Sequence, residues 1–137
     1  MRRIDVYFLL LATACLIVGV VLGIWMGIAH DFQFAPVHAH LNLLGWASLA
    51  LFGLVYKAYP VLGRSRLALA HFAASATSGM VFPLGIALSI ANVTIVVAVI
   101  AALVWLAGAV IFLVNLARLL LGPARADAPI AVDRALA

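Results

Sequence analysis

Four stretches without a single Lys, Arg, Asp or Glu govern what this chain can become. They run from Val6 to Ala29, from Phe34 to Tyr56, from Leu67 to Ala91 and from Val93 to Ala117. Each exceeds the roughly 20 residues that a helix, rising about 1.5 Å per residue, needs to cross a hydrocarbon core about 30 Å thick. In a chain of 137 residues, 69% of them hydrophobic and 9% charged, these stretches are most of the protein. A globule of this size has too little interior to hide so much Leu, Ile, Val and Ala from water. Lipid must therefore be the solvent for most of its surface. The first stretch is too long for the core of a cleavable signal peptide, and no small-residue cleavage site follows it.

The sequence thus predicts an all-α integral membrane protein: a four-transmembrane-helix bundle with helices at about residues 6–29, 34–57, 67–91 and 93–118. Residues 1–122 make one membrane domain. After Gly122-Pro123 the chain turns to Ala, Asp and Arg with no apolar period, and residues 123–137 read as a short disordered cytoplasmic tail. A disulfide scaffold is excluded by the lone Cys15, and the placement of the charges does not describe a nucleic-acid binder.

That placement sets an orientation. Arg2 and Arg3 precede the first span, Lys57, Arg64 and Arg66 fall in the second connection, and Arg118 and Arg125 follow the fourth span. With alternating helices all of these lie on one side, and the other side holds only Asp31 and Asn92. By the positive-inside rule both termini are cytoplasmic and the protein is a multi-pass component of a bacterial inner membrane. Between the helices, close packing by small residues must do what hydrophobic burial does in water. Gly19, Gly23 and Gly27 repeat at four residues on the first helix, Ser75 and Gly79 share that spacing on the third, and Pro83 is expected to kink the third helix. More such faces exist than four short-looped helices need, which points to a homo-oligomer, a dimer or trimer.

The chemistry on offer is that of four histidines, His30, His38, His40 and His71. There is no intramembrane carboxylate pair, no nucleophile-plus-base set and no phosphate loop. Ionisable groups inside a membrane are costly and by default functional, and neutral imidazole is the commonest protein ligand for metals and haem iron. His30, His38 and His40 fall near the outer surface and suit copper or zinc as a triad, against the plainer reading of His30 and His38 as interfacial anchors or hydrogen-bonded caps. His38 and His40, two apart, point about 200° away from each other on a helix. His71 lies near the opposite face, roughly 15–20 Å from His40 along the membrane normal. These two therefore cannot share one ion within a subunit.

The run His40-Leu41-Asn42-Leu43-Leu44-Gly45-Trp46, continuing to Gly53, Tyr56 and Pro60, resembles helix two of haem-copper oxidase subunit I, closest to the nitric oxide reductase branch. In that family the histidine of this helix is an axial ligand of low-spin haem b near the outer face. The resemblance implies the same role for His40, with Asn42 orienting an imidazole or propionate and with Trp46 and Phe52 walling the macrocycle. The family's subunit has twelve or more helices, and its second haem ligand and copper-binding histidines lie on helices this chain lacks. Oxygen or nitric oxide reduction by a monomer is therefore not expected. The missing ligand is expected from His40 of a second copy or from His71 across an interface. The resemblance implies a haem-b-binding membrane protein in electron transfer or gas (NO/O2) sensing, with a respiratory-chain partner. The alternatives are a non-catalytic accessory subunit of a respiratory complex and a periplasm-facing copper-binding protein using His30, His38 and His40.

Overall fold

Helices account for all the regular structure of residues 3–121, the part of the chain that a computed structural model describes; Arg2 and the expected tail 123–137 lie outside it. Helix α1 spans Ile4–Ala29 and α2 spans Ala35–Ala58. A single short turn of helix, α3, covers Pro60–Gly63, followed by α4 at Arg66–Ile90 and α5 at Val96–Leu121. The four long helices are each long and apolar enough to cross a membrane, so the protein is a multi-pass membrane protein of all-α class. The outward faces of α1 and α5 carry Leu10, Ile17, Val21, Ile28, Leu103 and Leu113, all more than half exposed and suited to lipid or to another apolar span.

Local chemistry sets the ends. The first turn of α1 includes Asp5, whose carboxylate complements the positive end of the helix dipole, so α1 starts at Ile4, ahead of its charge-free stretch. His30 closes α1 in the left-handed region (φ 51°), its N–H bonded back to Met26 O. Pro36 sits in the first turn of α2, where its missing N–H costs nothing. Ser65 caps α4 by accepting from Ala68 N at 3.1 Å. Asn92 (φ 56°) ends the turn after α4, and Thr94 Oγ1 accepts from Val96 N, which delays the start of α5 to Val96. Helix α4 continues through Pro83, which is buried.

Two helix pairs form the bundle. Helices α4 and α5 lie along one another on small residues: Ser75, Ser78, Gly79 and Gly85 against Ala98, Ala101 and Gly108. The approach is closest at Gly85, where a Cβ would come within 2.5 Å of Ala98 N. Helix α1 packs on α2 with Gly45 against Cys15, a Cβ at Gly45 coming within 2.8 Å of Cys15 Cβ. Cys15 is 1% exposed. A membrane-permeant maleimide is therefore expected to label Cys15 at least tenfold more slowly in the folded protein than after denaturation in SDS; equal rates would mean the α1–α2 seam is open.

One feature of α2 departs from a regular helix. Directly after His40, residues Leu41–Ser48 wind as π-helix. The wide turn is supported from within, as Ser48 Oγ donates to Leu43 O, five residues back, at 2.8 Å. Such insertions are uncommon and concentrate at functional positions.

Candidate functional site

The glycine repeat of α1 and the histidines of α2 belong together. His38 turns toward α1, and its Nδ1–H donates to Gly19 O at 2.8 Å. A carbonyl can only accept, so this bond fixes the proton on Nδ1. Asn42, one turn on, donates from Nδ2 to His38 O at 2.9 Å and stands 3.4 Å from His38 Nε2. Both side chains fit because α1 offers no Cβ there: one at Gly19 would stand 2.8 Å from Asn42 Nδ2, and one at Gly23 2.8 Å from His38 Cε1. Gly19 and Gly23 are thus taken up inside the chain, and Gly27, with nothing within 4 Å of its Cβ position, is the open member of the repeat. The packing surplus read as a sign of self-association shrinks accordingly.

His40 faces the other way, as the two-residue spacing requires. Its ring lies edge-on to Phe82 of α4 with centroids 4.9 Å apart, and Nδ1–H donates to Pro36 O at 2.7 Å. That leaves Nε2 with its lone pair on a half-buried ring at the start of the π-helical stretch. A backbone carbonyl holding one ring nitrogen while the other presents a lone pair is how proteins orient ligating imidazoles. Past it, Leu43 and Trp46 are 63% and 41% exposed and face away from the bundle. Asn42 is committed to His38 rather than to His40.

His30 caps α1 and is exposed. His30 thus ends α1, while the His38 and His40 rings bond to different carbonyls, Gly19 O and Pro36 O. Among the described residues no three His, Cys, Asp or Glu side chains come together as a metal-holding group.

His71 lies at the other end of the bundle and is 0% exposed. Its ring is walled by Phe8, Phe52, Tyr56 and Phe112, with centroids 5.3, 4.6, 5.8 and 4.9 Å away. Phe52, expected beside the His40 site, thus packs on His71 instead. Tyr56 is 16 positions beyond His40 on α2, which puts the two imidazoles roughly 20 Å apart. Tyr56 O–H lies 3.0 Å from His71 Nδ1, and Asn115 Nδ2 donates to the Tyr56 oxygen at 3.5 Å and to Leu62 O at 3.3 Å. Ser65 Oγ donates to Asn115 Oδ1 at 2.9 Å. This chain of bonds ties the α3 connection to α2, α4 and α5, and it ends at His71 Nε2, which has no partner; one turn further on α4, buried Ser75 Oγ has none either. The sequence points to His71 as a ligand across a subunit interface; the structure places it in this buried network. An Asn within a span was the available signal, since buried amides must bond to something. To ligate across an interface, His71 would have to leave four aromatic rings.

No protein-family model, curated protein or solved structure matches the chain.

Proposed function

We propose that this protein binds haem b through His40 Nε2 and that it is a minimal relative of haem-copper oxidase subunit I, acting in electron transfer or gas sensing. One observation carries the reading beyond the likeness of helix two: the His40 ring is held by Pro36 O so that Nε2 points away with its lone pair unclaimed. Haem bound there would supply a one-electron iron couple. The residues present fit one ligand of such a group: His40 would hold it through Nε2. One chain presents one such imidazole on a half-buried face, with apolar Phe82 beside it and Trp46 further along α2. A second imidazole would be supplied by His40 of another copy, and the working unit would then be a homo-oligomer. His38 and Asn42 serve to hold α2 in register on α1, so that the turn bearing His40 keeps its direction. The basic residues at the N-terminal end of the bundle support a bacterial inner-membrane protein with that end cytoplasmic and His40 near the outer face.

Protein purified in detergent after haem supplementation is expected to show a Soret band and reduced low-spin bands of the bis-histidine type. His40→Ala should abolish them, and His38→Ala should keep at least half of the absorbance while lowering stability. No Soret band in the wild type, or an unchanged spectrum in His40→Ala, would overturn the assignment. A second reading, a non-catalytic accessory subunit of a respiratory complex, draws on the full internal satisfaction of His38. It predicts no bound chromophore and co-purification with a larger complex in its place.

A further inference from the structure

At the end of the bundle opposite His40, a cleft of about 700 Å³ opens between the start of α1, the end of α2, α3 and the start of α4. Arg3, Lys57, Arg64 and Arg66 line it, and Asp5 is the one carboxylate among its lining residues. We infer that this cleft is a binding site for a phosphate-bearing anion, with the headgroup of an anionic phospholipid as its occupant.

Lys57, Arg64 and Arg66 come from the one connection between α2 and α4, and the fold brings Arg3 from the start of α1 in beside them. All four are exposed, and gathering them around one concavity costs mutual repulsion that a single carboxylate offsets only in part. Its volume falls in the range of ligand pockets, and Ile4, Pro60 and Tyr56 line it beside the charged groups. The Tyr56–Asn115–Ser65 bonds hold the α3 connection in place, and with it Arg64 and Arg66. Guanidinium groups match phosphate oxygens in a bidentate fork. Helices α1 and α4 both start at the cleft, so their positive dipole ends add to the same field. The cleft lies where apolar spans give way to charge, at headgroup depth, where basic pockets between helices take anionic lipid. Arg118 lies at the same end of the bundle and does not line the cleft, which provides an internal control.

The test is native mass spectrometry of the detergent-purified full chain titrated with phosphatidylglycerol, phosphatidylcholine or inorganic phosphate. Phosphatidylglycerol is expected to stay bound in excess detergent, and phosphatidylcholine, with the same phosphate but no net charge, is not. Arg64→Gln and Arg66→Gln should each weaken phosphatidylglycerol binding about fivefold, in keeping with about 1 kcal/mol per basic residue near a lipid surface. Arg118→Gln should change it less than twofold. Both arginines are exposed, and circular dichroism checks that each variant keeps the wild-type helix content. Inorganic phosphate that binds with the same arginine dependence and displaces the lipid identifies a soluble phosphate as the source of the same chemistry. Equal weakening by Arg118→Gln and Arg66→Gln, or none by either, overturns the site and leaves only a diffuse basic belt. None of these outcomes touches His40, so the haem reading stands or falls separately.

Discussion

Gly85→Ala is expected to destabilise the bundle by about 3 kcal/mol, the upper end of the usual range for overpacking and a large effect for a single methyl group. The added Cβ would stand 2.5 Å from Ala98 N, 2.7 Å from Ala98 Cα and 2.9 Å from Val97 C. Those are backbone atoms on a neighbouring helix, so no rotamer change relieves the clash and α4 and α5 must separate. Separation also loosens the small-residue seam that continues through Gly108, where a Cβ would meet Ser75 Oγ at 2.9 Å. Ala98→Gly should give no rescue, because the clash is with Ala98's backbone and not its methyl. Gly27→Ala, into open space, should stay within about 0.5 kcal/mol of wild type. Thermal unfolding in one detergent, followed by circular dichroism, compares the three. A Gly85→Ala protein as stable as Gly27→Ala would mean the helices do not cross there.

The spans were legible because charge is so costly in hydrocarbon that its absence over more than 20 residues has few other causes. Their ends were less so, because capping decides them. Asp5 was excluded by a charge-free criterion yet belongs in α1, where the helix dipole favours it. Val93 to Ile95 fit the apolar stretch but stay out of α5, since Asn92 takes a left-handed turn and Thr94 caps Val96. Within the spans, the glycine repeat announced a close approach on α1 but not what approaches: it is His38 and Asn42, polar groups from the next helix, rather than a second copy's backbone. The π-helical turn after His40 leaves no period in eight residues that a regular helix would not also allow. The directions of His38 and His40 followed from their spacing alone. The nest around His71 and the basic cleft did not, since both join residues from separate helices and only tertiary packing brings those together.

Removing both partners of the Tyr56–His71 bond should cost less than the sum of removing each alone, and this non-additivity separates a structural histidine from a ligand. Asn115 donates into the Tyr56 oxygen, which directs the Tyr56 proton to His71 Nδ1 and leaves His71 Nε2–H as the unpaired end. Tyr56→Phe then strands Nδ1 as well, so a fully buried imidazole has no bond at all, at a cost of about 2–3 kcal/mol. His71→Leu fills a similar volume among the same aromatic rings and deletes the unpaired nitrogen, but it leaves the Tyr56 hydroxyl without an acceptor, at about 1–2 kcal/mol. In the double variant neither orphan remains. Its loss should fall below the sum of the two by 1 kcal/mol or more, the size of coupling seen within a shared network. Ser75→Ala, which removes the second unpaired group on the same face of α4, should be neutral or stabilising. If His71 served a prosthetic group, His71→Leu would instead abolish or shift the absorption bands while Tyr56→Phe left them alone. The packing argues for the opposite: the rings that would have to move to admit a macrocycle already wall His71, so both variants should lower the unfolding midpoint and leave unchanged the spectrum of any chromophore the protein binds.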